Sequence, residues 1–176
     1  MRIISGLHKG RRFSPPTNIT ARPTTDFAKE GLFNLLFNRL DFETLHTLDL
    51  FSGTGSISYE LASRGCIDIT SIEMSERHVA YIKKMIQTLK IENMRVLRTD
   101  VFRYMEQCRS KFDFIFADPP YQLPNLETIP DLVFEHKLLT EGGLLVVEHG
   151  ATTNFEPHPR CTETRHYGNV YFSFFE

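Results

Sequence analysis

Residues 112–121 read Phe112-Asp113-Phe114-Ile115-Phe116-Ala117-Asp118-Pro119-Pro120-Tyr121. The apolar first half has the composition of a buried parallel strand. An acid, two prolines and a tyrosine close it. Each proline fixes its own φ and restricts the residue before it, so the turn is stiff. Neither proline has an N–H, but both keep a carbonyl that accepts hydrogen bonds. The strand therefore ends in a rigid rim that carries the Asp118 carboxylate, outward carbonyls and the flat face of Tyr121. Such a rim suits an exocyclic amino group on a planar base, which offers two donors and a ring to stack. Alone, the segment would be a proline-rich turn, and its upstream partners give it a different meaning.

Working back, strands and helices alternate from residue 46. Strands are expected at 46–51, 67–73, 94–98, 112–117 and 144–148. Helices are expected at 56–64, 75–90, 101–109 and within 125–138. This alternation predicts a doubly wound α/β fold, a parallel sheet with helices on both faces. Gly168-Asn169 between the runs 162–167 and 170–175 predicts a tight hairpin, so the sheet should finish antiparallel. Upstream, 2–5 and 11–14 look like short strands around His8-Lys9-Gly10. Arg22-Pro23-Thr24-Thr25-Asp26 opens a helix on which Ala28, Leu32, Leu35, Leu36 and Leu40 recur at helical spacing. The expected division is a basic arm, 1–23, and a main domain, 24–176.

The second decisive stretch is Asp49-Leu50-Phe51-Ser52-Gly53-Thr54-Gly55, which ends the first strand and opens a helix. Glycines let a ligand approach the backbone, and in an open α/β sheet ligands sit beyond the carboxyl ends of strands. The third glycine of a dinucleotide fingerprint is missing, since Ser56, Ile57 and Ser58 follow. No G-K-[ST] of a phosphate-binding loop is present either. Asp49 beside the loop suits a cation, whereas phosphates prefer the opposite polarity. S-adenosylmethionine, with its ammonium and sulfonium, fits better than a nucleotide. Glu73, closing the second strand, can accept from ribose hydroxyls. Asp100 and the Val101 N–H after the third strand can serve the adenine amino group and ring nitrogen, although an acid at Asp100 is equally a helix cap. Phe51, Ser52, Gly53 and Gly55 complete the expected cofactor set. An ordered row of Asp49, glycine loop, Glu73, Asp100 and Asp118, each at a strand end, is more specific than any one member.

Composition narrows the class. The 176 residues are 41% hydrophobic, with fifteen Phe and no Trp, enough for one Phe-rich core. No apolar run is long enough to span a membrane, and the N-terminus lacks a signal-like apolar core. Cys66, Cys108 and Cys161 are odd in number and far apart, which points to reduced thiols in a cytoplasm. His46, His149 and His166 lack metal-like spacing, so no metal is expected. Residues 1–29 hold Arg2, Lys9, Arg11, Arg12, Arg22 and Lys29 against Asp26, a net +5 within a total of −2. A basic arm on an acidic body suggests a polyanion docked at one end.

Several segments together resemble the bacterial RsmD-type RNA guanine-N2 methyltransferases, within the class I S-adenosylmethionine-dependent, Rossmann-like methyltransferases. They are Arg2–Gly6, Lys9-Gly10-Arg11-Arg12, Arg22-Pro23-Thr24, Leu32-Phe33-Asn34, Asp49–Gly55, Ser63-Arg64-Gly65, Asp118–Tyr121 and Tyr167-Gly168. The sequence departs from that pattern at Ser58-Tyr59, where glycine is more usual, at Phe27 and Lys29 for arginines, and at Met85 for asparagine. The resemblance implies transfer of a methyl group to N2 of guanine 966 in 16S rRNA, releasing S-adenosylhomocysteine. It implies a partly assembled small subunit as partner, with a monomer as default. Asp118, Pro119 and Tyr121 would then act on the base, and Arg2, Lys9, Arg11, Arg12, Arg22 and Thr24 on the RNA. Competing readings are an amino-methyltransferase for adenine N6 or protein glutamine, a non-catalytic RNA-binding assembly factor, and a nicotinamide oxidoreductase, the last disfavoured by the missing glycine.

Overall fold

The computed structural model describes residues 1–16 and 25–176. Seven strands form one sheet: β1 (His46–Leu50), β2 (Asp68–Glu73), β3 (Met94–Arg98), β4 (Phe112–Ala117), β5 (Leu139–His149), β6 (Cys161–Tyr167) and β7 (Val170–Phe175). Their order is β3-β2-β1-β4-β5-β7-β6. The first five run parallel, and β7 pairs antiparallel with both β5 and β6. The expected doubly wound sheet with a terminal hairpin is therefore present, and β7 lies inside β6.

Five helices cover it: α1 (Asp26–Phe37), α2 (Ser56–Ser63), α3 (Glu76–Leu89), α4 (Val101–Gln107) and α5 (Ile129–Glu135). α1, α2 and α3 share one core with Phe114, Phe116, Phe172 and Phe174 of the sheet. α4 and α5 share the other with Phe112, Ile115, Leu145, Val147 and Phe175. The alternation along β4 and β7 thus feeds phenylalanines to both faces. The Thr25 hydroxyl caps α1 by accepting from the Ala28 N–H at 3.1 Å. Among the described residues no helix is long and apolar enough to cross a membrane.

Two expectations are adjusted. β5 begins at Leu139, five residues before the expected start. Phe112 pairs with Leu139 but Phe114 with Leu144, so the extra residues bulge out, which Gly142 permits at φ +73°. The strands expected at 2–5 and 11–14 shrink to a bridge between Arg2 and Arg12. Ile3 N–H still gives to the Arg11 carbonyl and Phe13 N–H to the Met1 carbonyl, but the Ile4 and Ser5 N–H groups give to the Glu60 carboxylate at 2.7 and 3.0 Å. The Leu7 and His8 N–H groups give to the Ser63 carbonyl and hydroxyl at 2.7 and 2.9 Å. Gly6 lies so close to α2 that a Cβ would sit 1.7 Å from the Ser63 carbonyl oxygen, and its φ is +80°. With Ile3 and Phe13 buried, the N-terminal segment is laid along α2.

Candidate active site

The carboxyl ends of β1, β2, β3, β4 and β5 make one rim, and backbone bonds tie its loops together. Asp118 N–H gives to Leu50 carbonyl at 3.2 Å, Ser52 N–H to Ile72 carbonyl at 2.9 Å, and Thr99 N–H to Glu73 carbonyl at 3.2 Å. The structure so gathers Asp49, Phe51, Ser52, Gly53, Gly55, Glu73, Asp100, Val101 and Asp118 on one edge.

The loop after β1 is held tightly. Phe51, Gly53 and Gly55 have φ of +61°, +55° and +84°. The left-handed conformation costs a non-glycine residue about 1–3 kcal/mol and persists only where its surroundings impose it. The Phe51 ring packs edge-on against Phe102 of α4. A Cβ at Gly55 would sit 2.6 Å from the Tyr59 ring, whereas one at Gly53 would meet nothing nearer than a carbonyl at 3.9 Å. Gly55 is therefore required by packing, and Gly53 faces open space at the rim.

Asp49 is 1% exposed and lies beneath this loop. Its carboxylate accepts from the Ser58 hydroxyl at 2.5 Å, and that hydroxyl is 2.7 Å from the Ser71 hydroxyl. Burial pushes the Asp49 carboxyl up to about 7, against the lowering effect of the Ser58 bonds, and the Glu73 charge pushes the same way as burial. Glu73 accepts from Gly53 N–H at 2.8 Å with one oxygen and from Ser75 N–H at 2.7 Å with the other. It braces the glycine loop, and its side chain is 12% exposed. Asp100 caps α4, accepting from Arg103 N–H at 3.0 Å, and stays exposed. Met74 follows Glu73 and is 66% exposed, an apolar side chain beside the two acids. An open glycine cradle, the Glu73 and Asp100 carboxylates and an exposed apolar side chain fit a cation that carries a nucleoside, whereas Asp49, expected to face that cation, is closed off beneath the loop against Ser58. Among the described residues no group of three His, Cys, Asp or Glu is placed to hold a metal ion.

At the end of β4, Asp118 is half-buried, Pro119 buried and Tyr121 half-buried. The Pro120 carbonyl is occupied by Leu123 N–H at 2.8 Å. Among the described residues no donor reaches the Pro119 carbonyl, so the two carbonyls, alike in sequence, differ in availability. The Tyr121 hydroxyl donates to Glu148 at 3.1 Å, and its ring lies over Gly150. Glu148 is a site residue absent from the expected set, although it carries the same signal as the others, an acid at a strand's carboxyl end.

The basic residues are split. Lys9, Arg11 and Arg12 are exposed. The Arg2 guanidinium leans toward Asp26 and Glu30 at 3.9 and 3.8 Å. Arg22 and Thr24 lie outside the described residues. Lys29, counted as part of a basic face, is fully buried: its ammonium gives to the Arg2 carbonyl at 2.6 Å and the Ser56 hydroxyl at 3.1 Å, 3.9 Å from Glu60. Desolvation lowers its pKa, opposed by Glu60 and Asp26. These bonds set the Arg2–Arg12 bridge beside the first residue of α2, at the rim, with the Thr54 hydroxyl donating to Met1 Sδ at 3.2 Å. A cleft of about 580 Å³, lined by Arg39, Gly142, Thr162 and Glu176, lies at the opposite end of the sheet.

Strand order, glycine loop and the acids at successive strand ends define a class I S-adenosylmethionine-dependent methyltransferase. Residues 1–176 match the model of the family described as conserved hypothetical protein 95. Ribosomal RNA small subunit methyltransferase D of Buchnera aphidicola (subsp. Baizongia pistaciae) is 31% identical over 154 residues, covering 88% of this chain and 78% of that protein. The Escherichia coli K12 protein of the same name is 32% identical over 148 residues, covering 84% and 74%. The solved structure of Escherichia coli yhhF superposes with a TM-score of 0.86 at 28% identity, over 99% of this chain and 96% of that one. The chain belongs to this family, the RsmD-type methyltransferases.

Proposed function

We propose that the chain methylates small-subunit ribosomal RNA, transferring a methyl group from S-adenosylmethionine to the exocyclic N2 of one guanine, and that this guanine is the one numbered 966. The observation that carries this reading is the acceptor set at the end of β4. The Asp118 carboxylate and the available Pro119 carbonyl stand beside a half-buried tyrosine ring, on a turn fixed by two prolines. The names of the relatives support ribosomal RNA as the substrate.

Glu73, the glycine loop, Asp100 and Val101 would hold the cofactor, with Asp49 supporting the loop from below. Bound S-adenosylmethionine supplies an electrophilic methyl group on a sulfonium. The chain's own contribution is orientation, worth ~7–11 kcal/mol where two reactants are fixed in line. A guanine amine is a poor nucleophile because its lone pair is delocalised into the ring. Asp118 and Pro119 counter this by accepting its two hydrogens, which draws the nitrogen toward tetrahedral geometry. As the N–C bond forms, the amine proton becomes acidic and passes to Asp118 or water. Tyr121 stacks on the base, whose extrusion from a helix costs a few kcal/mol. Lys9, Arg11 and Arg12 contact phosphates and set the register. The RNA is part of a partly assembled subunit in the cytoplasm, and the chain acts as a monomer.

Asp118→Ala tests the assignment. Turnover should vanish while cofactor binding by calorimetry persists. Lost cofactor binding would make Asp118 a cofactor or fold residue.

A further inference from the structure

The Tyr121 ring is placed by residues that no part of the proposed reaction uses. Val147 pairs with Ala117, so Glu148 lies beside Asp118 on the neighbouring parallel strand and on the same face of the sheet. Glu148 is 4% exposed, although it stands at a strand end beside the rim. The Tyr121 hydroxyl donates to it at 3.1 Å across 27 residues of chain. The ring meets the backbone at Gly150, where a Cβ would lie 3.0 and 3.3 Å from Cδ2 and Cε2. The tyrosine is therefore held at its hydroxyl by a buried carboxylate and at its ring edge by a residue without a side chain. The loop that follows it exposes Gln122, Pro124 and Asn125.

We infer that Glu148 and Gly150 are positioning residues, which lock the Tyr121 ring in the plane that receives the target base. The inference rests on Tyr121 being the stacking platform of the proposed function. A phenol that only stacks needs no buried partner for its hydroxyl. A ring free to change rotamer would present its face for only part of the time, and the base would sit in line with the methyl donor correspondingly less often. Because phosphate contacts by the N-terminal segment hold the RNA, the effect falls on kcat. KM for RNA and cofactor affinity are left nearly unchanged.

The experiment compares Glu148→Ala, Glu148→Gln, Tyr121→Phe and the Glu148→Ala/Tyr121→Phe double variant in methyl transfer to small-subunit particles lacking the modification. A base–aromatic stack typically accounts for about 5- to 150-fold, so Glu148→Ala and Tyr121→Phe should each lower kcat by about tenfold or more. The double variant should be no worse than the poorer single one, since each single variant already removes the Tyr121–Glu148 bond. Glu148→Gln, whose amide oxygen still accepts from the hydroxyl, should recover most of the rate. In cofactor-free protein, NMR of labelled tyrosine should show a second Tyr121 rotamer in Glu148→Ala but not in Glu148→Gln.

Additive losses, or a Glu148→Gln variant as slow as Glu148→Ala beside a near-normal Tyr121→Phe, would overturn the inference in favour of a role for the charge itself. A Glu148→Ala variant that loses cofactor binding and thermal stability together would overturn it in favour of a fold residue. Product analysis of the wild type keeps the two readings apart. Methyl groups on adenine or protein would reject the proposed substrate, and coupling between Glu148 and Tyr121 could still be read on that acceptor. N2-methylguanosine without coupling would reject only the positioning role.

Discussion

Replacing Glu60 by alanine should release the N-terminal segment from the domain. The Glu60 carboxylate is fully buried and accepts from Ile4 N–H at 2.7 Å, Ser5 N–H at 3.0 Å and Arg64 Nε at 2.9 Å, with the Lys29 ammonium at 3.9 Å. Glu60→Ala would leave the buried Lys29 ammonium and the half-buried Arg64 guanidinium without their counter-charge and two backbone donors without an acceptor. Removing one partner of a buried pair costs about 3–5 kcal/mol. For a chain of this size each kcal/mol shifts the melting temperature by about 2–4 °C, so a drop of about 6–20 °C is expected. Hydrogen exchange locates the effect. The Ile4 and Ser5 amides should lose protection, while Leu7 and His8 keep theirs because they are bound to Ser63. RNA affinity should fall with it, since Arg12 is placed through the same segment. Lys29→Met should cost less, because Glu60 keeps Arg64 and both amides. A melting temperature within about 2 °C of wild type, with the two amides still protected, would mean that Glu60 does not hold the segment.

Asp49→Asn tests the buried acid. Asp49 stays protonated to about pH 7 in the fold, against an ordinary 3.8. The folded state then holds the extra proton between those values, so stability falls as pH rises through that window and levels off above it. The full effect is on the order of 4 kcal/mol. Asn should flatten this part of the denaturation profile, and an unchanged slope would remove Asp49 as its source. Charge reversal at exposed Arg11 and Arg12 should weaken RNA binding and reduce its salt dependence without touching cofactor affinity. Titrations at several ionic strengths would decide, and an unchanged slope would release both residues from the interface.

The α/β alternation was legible in the sequence because short segments rich in β-branched or apolar residues recur from 46 to 117, with turn residues or helical spacing between them. The acids were legible for the same reason, since Asp49, Glu73, Asp100 and Asp118 each stand within two residues of the end of such a segment. What stayed hidden depends on contacts across the chain. Lys29 reads as one more charge in a basic segment until α2, 27 residues on, supplies Ser56. Nothing local says that Ile4 and Ser5 bond to Glu60, so the N-terminal strands looked longer than they are. Pro119 and Pro120 are equivalent on paper, and only the turn to Leu123 occupies one carbonyl and leaves the other. β5 looked short because Gly142-Gly143 breaks the apolar run, although the backbone passes through as a bulge. Glu148 was within reach of the strand-end rule, but its partner Tyr121 was not.

The acceptor atom separates methylation of a guanine from the competing chemistries. Small-subunit particles lacking the modification would be incubated with the protein and methyl-labelled S-adenosylmethionine, and the RNA digested to nucleosides. Label is expected in N2-methylguanosine at a single site, and none with Asp118→Ala. Label in N6-methyladenosine or in protein, or no transfer by a protein that still binds the cofactor, would contradict it.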